Sequence, residues 1–330
     1  MGIVLDHGST TTSERVREPH RLLSRLDRRP APMRVGIVNN MPDSALLATE
    51  RQFTQLAQTA AMGCAAISLF HIPSLPRGAE AQDHLKRHYR PVADLSSMHV
   101  DALIITGNEP KAARLDDEPY WPDLIWLADW ARDNTRTTLW SCLAAHAAVL
   151  HLDGIARHRM PQKKSGVLSC DVRFAEDRGL PSRLTTCHSR LNELKRDDLL
   201  SHGYEIISEA PGGHVDVFAK SYFRSRFVFL QGHPEYESDS LMREYRRDVG
   251  RFLRGEREDY PEVPENYFDD ATVLLMENYR TSAERTRDPD LFQSFPSVEL
   301  RAGLEKRLVS SAAAVFSNWL AEMPALRAAD

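Results

Sequence analysis

The sequence predicts an α/β fold: a parallel sheet flanked by helices, with an added antiparallel β layer. From residue 34 to the Ala-rich stretch after Leu143, short aliphatic runs alternate with helix-period segments of ten or more residues, the mark of βαβ units. From about residue 165 four β-type runs follow one another with little helix between them, which is the mark of an antiparallel addition.

The elements follow in order. Residues 1–33 are polar and Arg-rich and end in Arg29-Pro30-Ala31-Pro32. They read as a poorly ordered arm with one short helix at Val16–Leu26. A single domain is expected over 34–322, and 323–330 reads as a tail. Arg34–Asn39 is a buried strand by its short β-branched run. Asn40-Met41-Pro42 turns the chain, and Asp43 is the expected N-cap of a helix whose core contacts are Leu46, Leu47, Phe53 and Leu56. A strand at Ala65–Phe70 and a helix over 79–89 come next. Ala102–Thr106 is a strand ending at Gly107. A helix over Tyr120–Arg132 turns Leu124, Leu127 and Trp130 inward. Thr137–Trp140 is a further strand, and a helix of small residues starts at Leu143. The later β runs are Gly166–Leu168, Tyr204–Ile207, Val215–Ala219 and Arg226–Leu230. An amphipathic helix is expected from Ser238 to Arg254, a loop excursion over the Pro- and acid-rich segment 258–295, and a closing helix over 297–322.

Composition narrows the function classes. The 330 residues are 42% hydrophobic and 27% charged, ordinary for a soluble globular protein. A formal charge of −5 makes no electrostatic case for nucleic acid or an anionic membrane. Four cysteines (Cys64, Cys142, Cys170, Cys187) with no CxxC pair fit neither a disulfide framework nor a zinc site, so no metal is expected. Free thiols suit a reducing cytoplasm. The only apolar run near the start, Ile3-Val4-Leu5, is too short for a signal peptide, and no run approaches membrane-spanning length.

Two positions carry chemistry. Cys142 stands immediately after a strand and opens a helix, at the carboxyl edge of a parallel sheet where α/β proteins bind ligands. Helix N–H groups there lower a thiol's pKa and receive an oxyanion. The alternative is a small buried hydrophobe, the common fate of a free Cys. Gln231-Gly232-His233-Pro234-Glu235 follows another strand, which puts His233 at a strand end too. Glu235 is placed to accept the imidazole N–H and orient the ring, the third-group logic of a triad. A loop His capping a turn is the alternative, and the two strand-end motifs together favour catalysis.

Further motifs appear in sequence: Asn39-Asn40-Met41-Pro42, Thr49-Glu50-Arg51-Gln52-Phe53, Ile104-Ile105-Thr106-Gly107, Pro119-Tyr120-Trp121, Lys163-Lys164-Ser165-Gly166-Val167, His188-Ser189-Arg190, Gly232-His233-Pro234-Glu235-Tyr236, Arg247-Asp248, Pro264-Glu265-Asn266-Tyr267-Phe268 and Asn318-Trp319-Leu320. Together they resemble the homoserine O-acyltransferase family of methionine biosynthesis, built on a flavodoxin-like, class I glutamine amidotransferase-like fold. The resemblance spans residues 34–322. It implies that Cys142 takes the acyl group from acyl-CoA as a thioester, that His233 moves the protons and that Glu235 holds His233. It places Lys163, Ser189 and Arg247 at the amino-acid substrate. Backbone N–H groups of Leu143 and of Asn108, beside Gly107, are the candidate oxyanion donors. No bound cofactor is implied, only the CoA thioester as co-substrate, and a homodimer is expected.

The sequence departs from the family in places. Lys111 stands where the family carries the Gly or Glu that sorts acyl donors. A lysine there would pair with a succinyl carboxylate, which favours succinyl-CoA, whereas Glu109 turned inward would favour acetyl-CoA. Leu168-Ser169-Cys170 replaces an aromatic followed by Glu-His, residues 43–48 carry two extra positions, and a Trp-Arg pair before the last helix is missing. Three alternatives stay open: an acetyl-CoA-dependent homoserine or serine O-acetyltransferase, a glutamine amidohydrolase, and a non-catalytic binding module of the same fold. Trp140 and Ala144 flank the nucleophile where amidohydrolases carry Gly, which counts against the second.

Overall fold

The computed structural model describes residues 32–323, so the helix expected at Val16–Leu26 and the tail expected at 323–330 lie outside the described residues, Met323 apart. The elements are β1 (Met33–Val38), α1 (Asp43–Ala60), β2 (Ala65–His71), α2 (Ala79–His88), β3 (Arg90–Pro91), β4 (Ala102–Ile105), α3 (Trp121–Asn134), β5 (Thr137–Ser141), α4 (Leu143–Asp153), β6 (His158–Val172), α5 (Ala175–Arg178), β7 (Arg183–Glu193), α6 (Arg196–Ser201), β8 (Glu205–Ala210), β9 (His214–Tyr222), β10 (Ser225–Leu230), α7 (Ser240–Leu253), α8 (Asp270–Thr286) and α9 (Leu304–Ala321).

All the strands form one ten-stranded sheet in the order β3-β2-β1-β4-β5-β10-β9-β8-β6-β7. The six strands from β3 to β10 are parallel. The antiparallel addition joins edge to edge where β10 pairs with β9, Phe229 opposite Phe218. Two strands therefore matter most for function. β5 lies between β4 and β10, and β10 joins the parallel half to the antiparallel half.

Strand alternation sends side chains to two cores. Val35, Ile37, Ile104, Leu139, Val228 and Leu230 face one side, where Phe53 and Ala57 of α1 and Val315, Phe316 and Trp319 of α9 cover them. Leu103, Ile105, Trp140, Phe227 and Phe229 face the other, under Leu124 and Leu127 of α3 and the alanines of α4. A third cluster joins α7 and α8 through Tyr245, Val249, Tyr267, Phe268 and Met276. No helix among the described residues is long and apolar enough to cross a membrane.

The structure corrects several expectations. Asp43 does not cap α1, because Pro42 occupies the cap position. Its carboxylate instead accepts the Gly78 N–H at 2.8 Å and pairs with Arg77, tying α1 to the start of α2. Leu47 is 58% exposed, because the buried stripe of α1 runs Leu46, Thr49, Phe53, Ala57 and Leu47 lies a hundred degrees round the helix. Residues 258–295 are not a loop excursion: they contain α8, whose N-cap Asp269 accepts the Thr272 N–H at 2.7 Å. The closing helix starts at Leu304 rather than at 297. The long strand β7 had no expectation, because its inward positions include Thr186, His188 and Arg190 as well as Leu184, which hides the alternation.

Phe316 is fully buried, 6.0 Å from the Phe53 ring and 6.1 Å from Trp319. Phe316→Ala is expected to lower the unfolding free energy by about 3–5 kcal/mol, read as a shifted urea midpoint at unchanged slope.

Candidate active site

The turn at Cys142 departs most from ordinary backbone. Its φ of 53° and ψ of −115° place a non-glycine residue in a region of positive φ, which costs about 1–3 kcal/mol and persists only when the surroundings fix it. Three contacts do so. The Cys142 N–H donates to Leu230 O on β10 at 2.8 Å, and the Cys142 carbonyl accepts the His146 N–H at 3.2 Å. Gly107, at the end of β4, lies against the turn: a Cβ there would stand 3.1 Å from Leu143 N and 3.3 Å from the Cys142 Cβ. The thiol is half-buried at the mouth of the sheet, with the first N–H groups of α4 and the Gly107-Asn108 backbone around it.

His233 reaches the same place from β10. Its N–H donates to Cys187 O on β7 at 2.7 Å, so the loop is pinned to the antiparallel half. The preceding Gly232 is required by close approach, since a Cβ would stand 2.3 Å from Asp216 Oδ1 and 2.9 Å from His188 Nε2. The imidazole Nδ1 hydrogen-bonds to Glu235 Oε1 at 2.8 Å, and the Cys142 side chain is a neighbour that acts on the ring's basicity. Burial alone would lower the His233 pKa, but the Glu235 charge and the Cys142 contact raise it well above the usual imidazole range. The ring also stacks on Tyr236, centroids 4.3 Å apart.

Behind His233 lies a buried polar network that the sequence did not reveal. Asp216 accepts hydrogen bonds from Ser208 at 2.9 Å and Thr186 at 3.2 Å, and faces His188 Nε2 at 3.3 Å. Arg190 Nε donates to His188 Nδ1 at 3.3 Å. Burial lowers the His188 pKa and, with Arg190 on Nδ1, the ring presents Nε2–H to Asp216. Burial opposes ionisation of Asp216, yet the His188 and Ser208 hydrogen bonds hold its carboxyl below the ordinary range.

Lys163 on β6, Ser189 on β7 and Arg247 on α7 are brought together by two carboxylates, Asp248 of the Arg247-Asp248 motif and Glu244, which carried no sequence motif. Lys163 Nζ is 3.3 Å from Asp248 and 3.7 Å from Glu244. Ser189 Oγ donates to Glu244. Arg247 grips Asp248 Oδ1 through Nε at 3.1 Å and Nη2 at 3.0 Å. Burial would raise the Asp248 pKa, but Lys163 and Arg247 hold it low. Glu244 and Asp248 stand one helical turn apart on one face of α7, a spacing that was available as a signal. The Tyr236 hydroxyl donates to Glu244 Oε1 at 2.6 Å, so this cluster continues to the ring stacked on His233. A cleft of about 860 Å³ opens beside it, lined by Arg159, Lys163, Ser165, Asp248 and Arg257.

Lys111 is placed elsewhere. Its side chain is exposed with no contact to the cluster, and only its backbone N–H reaches inward, to Glu118 Oε1 at 2.6 Å. The Lys111 and Ala112 N–H groups both turn to Glu118, and the Lys111 side chain stays at the surface. Glu109 is turned outward to Arg251 at 3.4 Å.

Fold and site together define an α/β protein with a thiol–imidazole–carboxylate line at the carboxyl edge of its sheet. The chain belongs to the homoserine O-succinyltransferase family, whose model matches residues 24–325, and it is an acyltransferase by that membership. It is 50% identical over 292 residues to a homoserine O-succinyltransferase of Rhodopseudomonas palustris, covering 87% of this chain and 86% of that one. It is 46% identical over 298 residues to one of Bradyrhizobium japonicum, covering 89% and 90%. Among solved structures, a glutamine amidotransferase from Thermotoga maritima aligns at 14% identity and a TM-score of 0.47, over 88% of this chain and 97% of that one.

The raised His233 pKa has a consequence for stability. The ring is more basic folded than unfolded, so its contribution is fully present below pH about 6.5 and is lost as pH rises through the native value. Glu235→Gln removes the charge that raises it. The urea-midpoint gap between wild type and Glu235→Gln is expected to be larger at pH 6 than at pH 9; an equal gap at both would contradict the pairing.

Proposed function

We propose that this chain transfers a succinyl group from succinyl-CoA to the hydroxyl of L-homoserine through a thioester on Cys142, a step of methionine biosynthesis. The observation that carries the reading is the Cys142–His233–Glu235 line at the sheet edge of a chain in this family, contiguous with a cluster suited to an amino acid.

The chemistry follows from the geometry. Glu235 holds Nδ1–H, which leaves Nε2 for the sulfur. With the proton on the imidazole, the Cys142 thiolate attacks the thioester carbonyl and the carbonyl π pair moves onto oxygen. Leu143 N–H and the Asn108 backbone receive that oxyanion. The intermediate collapses, the carbon–sulfur bond to CoA breaks, and His233 returns its proton to the leaving thiolate. Neutral His233 then takes the homoserine hydroxyl proton as the oxygen attacks the acyl-cysteine. The second intermediate expels the Cys142 thiolate, and the imidazolium–thiolate pair is restored. A covalent intermediate divides one difficult transfer into two easier ones.

The zwitterionic acceptor needs both signs of charge. Arg247 and Lys163 suit its carboxylate, and Glu244 suits its ammonium. Ser189, held on Glu244, fixes that oxygen's direction. Glu109 turned toward Arg251 leaves the thiol side without the carboxylate that would favour the shorter acetyl donor.

Initial rates with varied succinyl-CoA and homoserine test the reading. Parallel double-reciprocal lines and O-succinylhomoserine as product are expected, and Cys142→Ala should lower kcat/KM by about 10⁴-fold or more. Converging lines with an active Cys142→Ala enzyme would overturn the covalent route. Release of ammonia from glutamine instead would favour the amidohydrolase.

A further inference from the structure

One residue of the motif after β10 has no part in the steps above. Gln231 is fully buried, two residues before His233, and both polar atoms of its side chain are engaged. Its Nε2 donates to Val215 O at 3.0 Å and to Leu194 O at 3.2 Å, and its Oε1 accepts the Leu194 N–H at 2.7 Å. These backbone partners fix the amide in one orientation, because a flipped amide would set its N–H against the Leu194 N–H and its oxygen against two carbonyls. The oxygen faces further donors. His146 Nε2 stands 3.2 Å from it, and Arg190 Nη1 stands 3.5 Å away. An amide oxygen only accepts, so His146 carries its proton on Nε2. Burial pushes the His146 pKa down to about 3, which keeps the ring neutral.

His146 lies one helical turn into α4, and its N–H donates to Cys142 O at 3.2 Å. The start of α4 and the end of β10 are therefore joined twice. The backbone joins them through Cys142 N–H and Leu230 O at 2.8 Å. Side chains join them again, from His146 to Gln231, the residue after Leu230. One hydrogen bond is a pivot about which a helix swings, whereas a second bond a turn further on fixes its direction. The two joined ends carry the two reacting groups, since Cys142 opens α4 and His233 follows Gln231 by two residues. A misplacement of about 1 Å between reacting groups costs about 100-fold in rate.

We propose that Gln231 and His146 are positioning residues: their hydrogen bond sets the direction of α4 against the loop after β10, and with it the line from the Cys142 thiol to the His233 imidazole. This rests on the thiol–imidazole pair of the reading above and gives the Gln before Gly-His-Pro-Glu a task of its own. Both residues act through the backbone they hold.

The test reads the thiol itself. Full-length wild type, His146→Gln, His146→Leu and His146→Asn are treated briefly with iodoacetamide, and labelling at each cysteine is followed by peptide mass spectrometry. A Gln amide places an N–H where His146 has Nε2, Leu has none, and Asn is too short to reach. The Leu194 N–H still satisfies Gln231 Oε1 in all three variants, so no buried acceptor is orphaned. Exposed Cys64 calibrates the reagent, and buried Cys170 and Cys187 report opening of the fold. A thiol paired with an imidazole reacts as its thiolate. The Cys142-to-Cys64 labelling ratio is expected to fall about 10-fold in His146→Leu and His146→Asn and to stay within about 2-fold of wild type in His146→Gln, with Cys170 and Cys187 unlabelled throughout. In the acyl-transfer assay kcat should fall by a similar factor at unchanged KM for both substrates. An unchanged ratio in His146→Leu and His146→Asn, an equal fall in His146→Gln, or a raised KM at unchanged kcat overturns the assignment. A fall that comes only with labelling of Cys170 and Cys187 also overturns it, since that marks a role in folding alone. The labelling uses neither a CoA ester nor homoserine. A protein that shows the expected ratios yet transfers no acyl group would sink the acyl-transfer reading and leave this one standing.

Discussion

The site depends on one strained turn. Cys142 occupies a backbone region that a side chain disfavours, at a φ of 53°, and it stays there because β5 is flanked on both sides. β10 accepts its N–H through Leu230 O, and the end of β4 presses Gly107 against its far side. Moving β5 to a sheet edge would remove one of these supports. The same turn that strains the residue lifts its thiol clear of the sheet and aims the first N–H groups of α4 past it. Strain and exposure are thus two results of one backbone path, and the packing of the central strands offsets the first to obtain the second.

The antiparallel half then has a clear purpose. It supplies Cys187, which fixes the His233 backbone, and Asp216 and His188, onto which Gly232 lets the loop after β10 descend, while Tyr236 of that loop stacks on the ring. Through Tyr236 and Glu244 the loop after β10 and α7 reach Ser189 and Lys163 on the antiparallel strands β7 and β6. Cys142 and His233 come from the ends of β5 and β10, while the cluster of Lys163, Ser189, Glu244 and Asp248 comes from β6, β7 and α7. The candidate site forms where β10 joins the two kinds of sheet.

Legibility in the sequence followed local signal strength. The βαβ alternation, the Cys142 strand-to-helix turn and the Gly232–Glu235 motif depend on short-range pattern, and the structure places them at one sheet edge. Strand β7 was hidden because its buried positions carry His188, Arg190 and Thr186, whose partner Asp216 arrives only by sheet pairing. Helix α8 was hidden by the Pro and acidic residues around it, although Asp269 supplied a cap signal. Lys111 occupied the expected position along the chain, but Glu118 captures its backbone and the side chain turns out.

The central claim is that the acyl group rests on Cys142 between two half-reactions. Intact-protein mass spectrometry after brief incubation with succinyl-CoA tests it most directly. The account predicts a succinyl mass gain that is absent in Cys142→Ala, maps to the Cys142 peptide and is discharged by homoserine. An enzyme that turns over succinyl-CoA and homoserine without ever carrying that mass, or that carries it equally in Cys142→Ala, would contradict it.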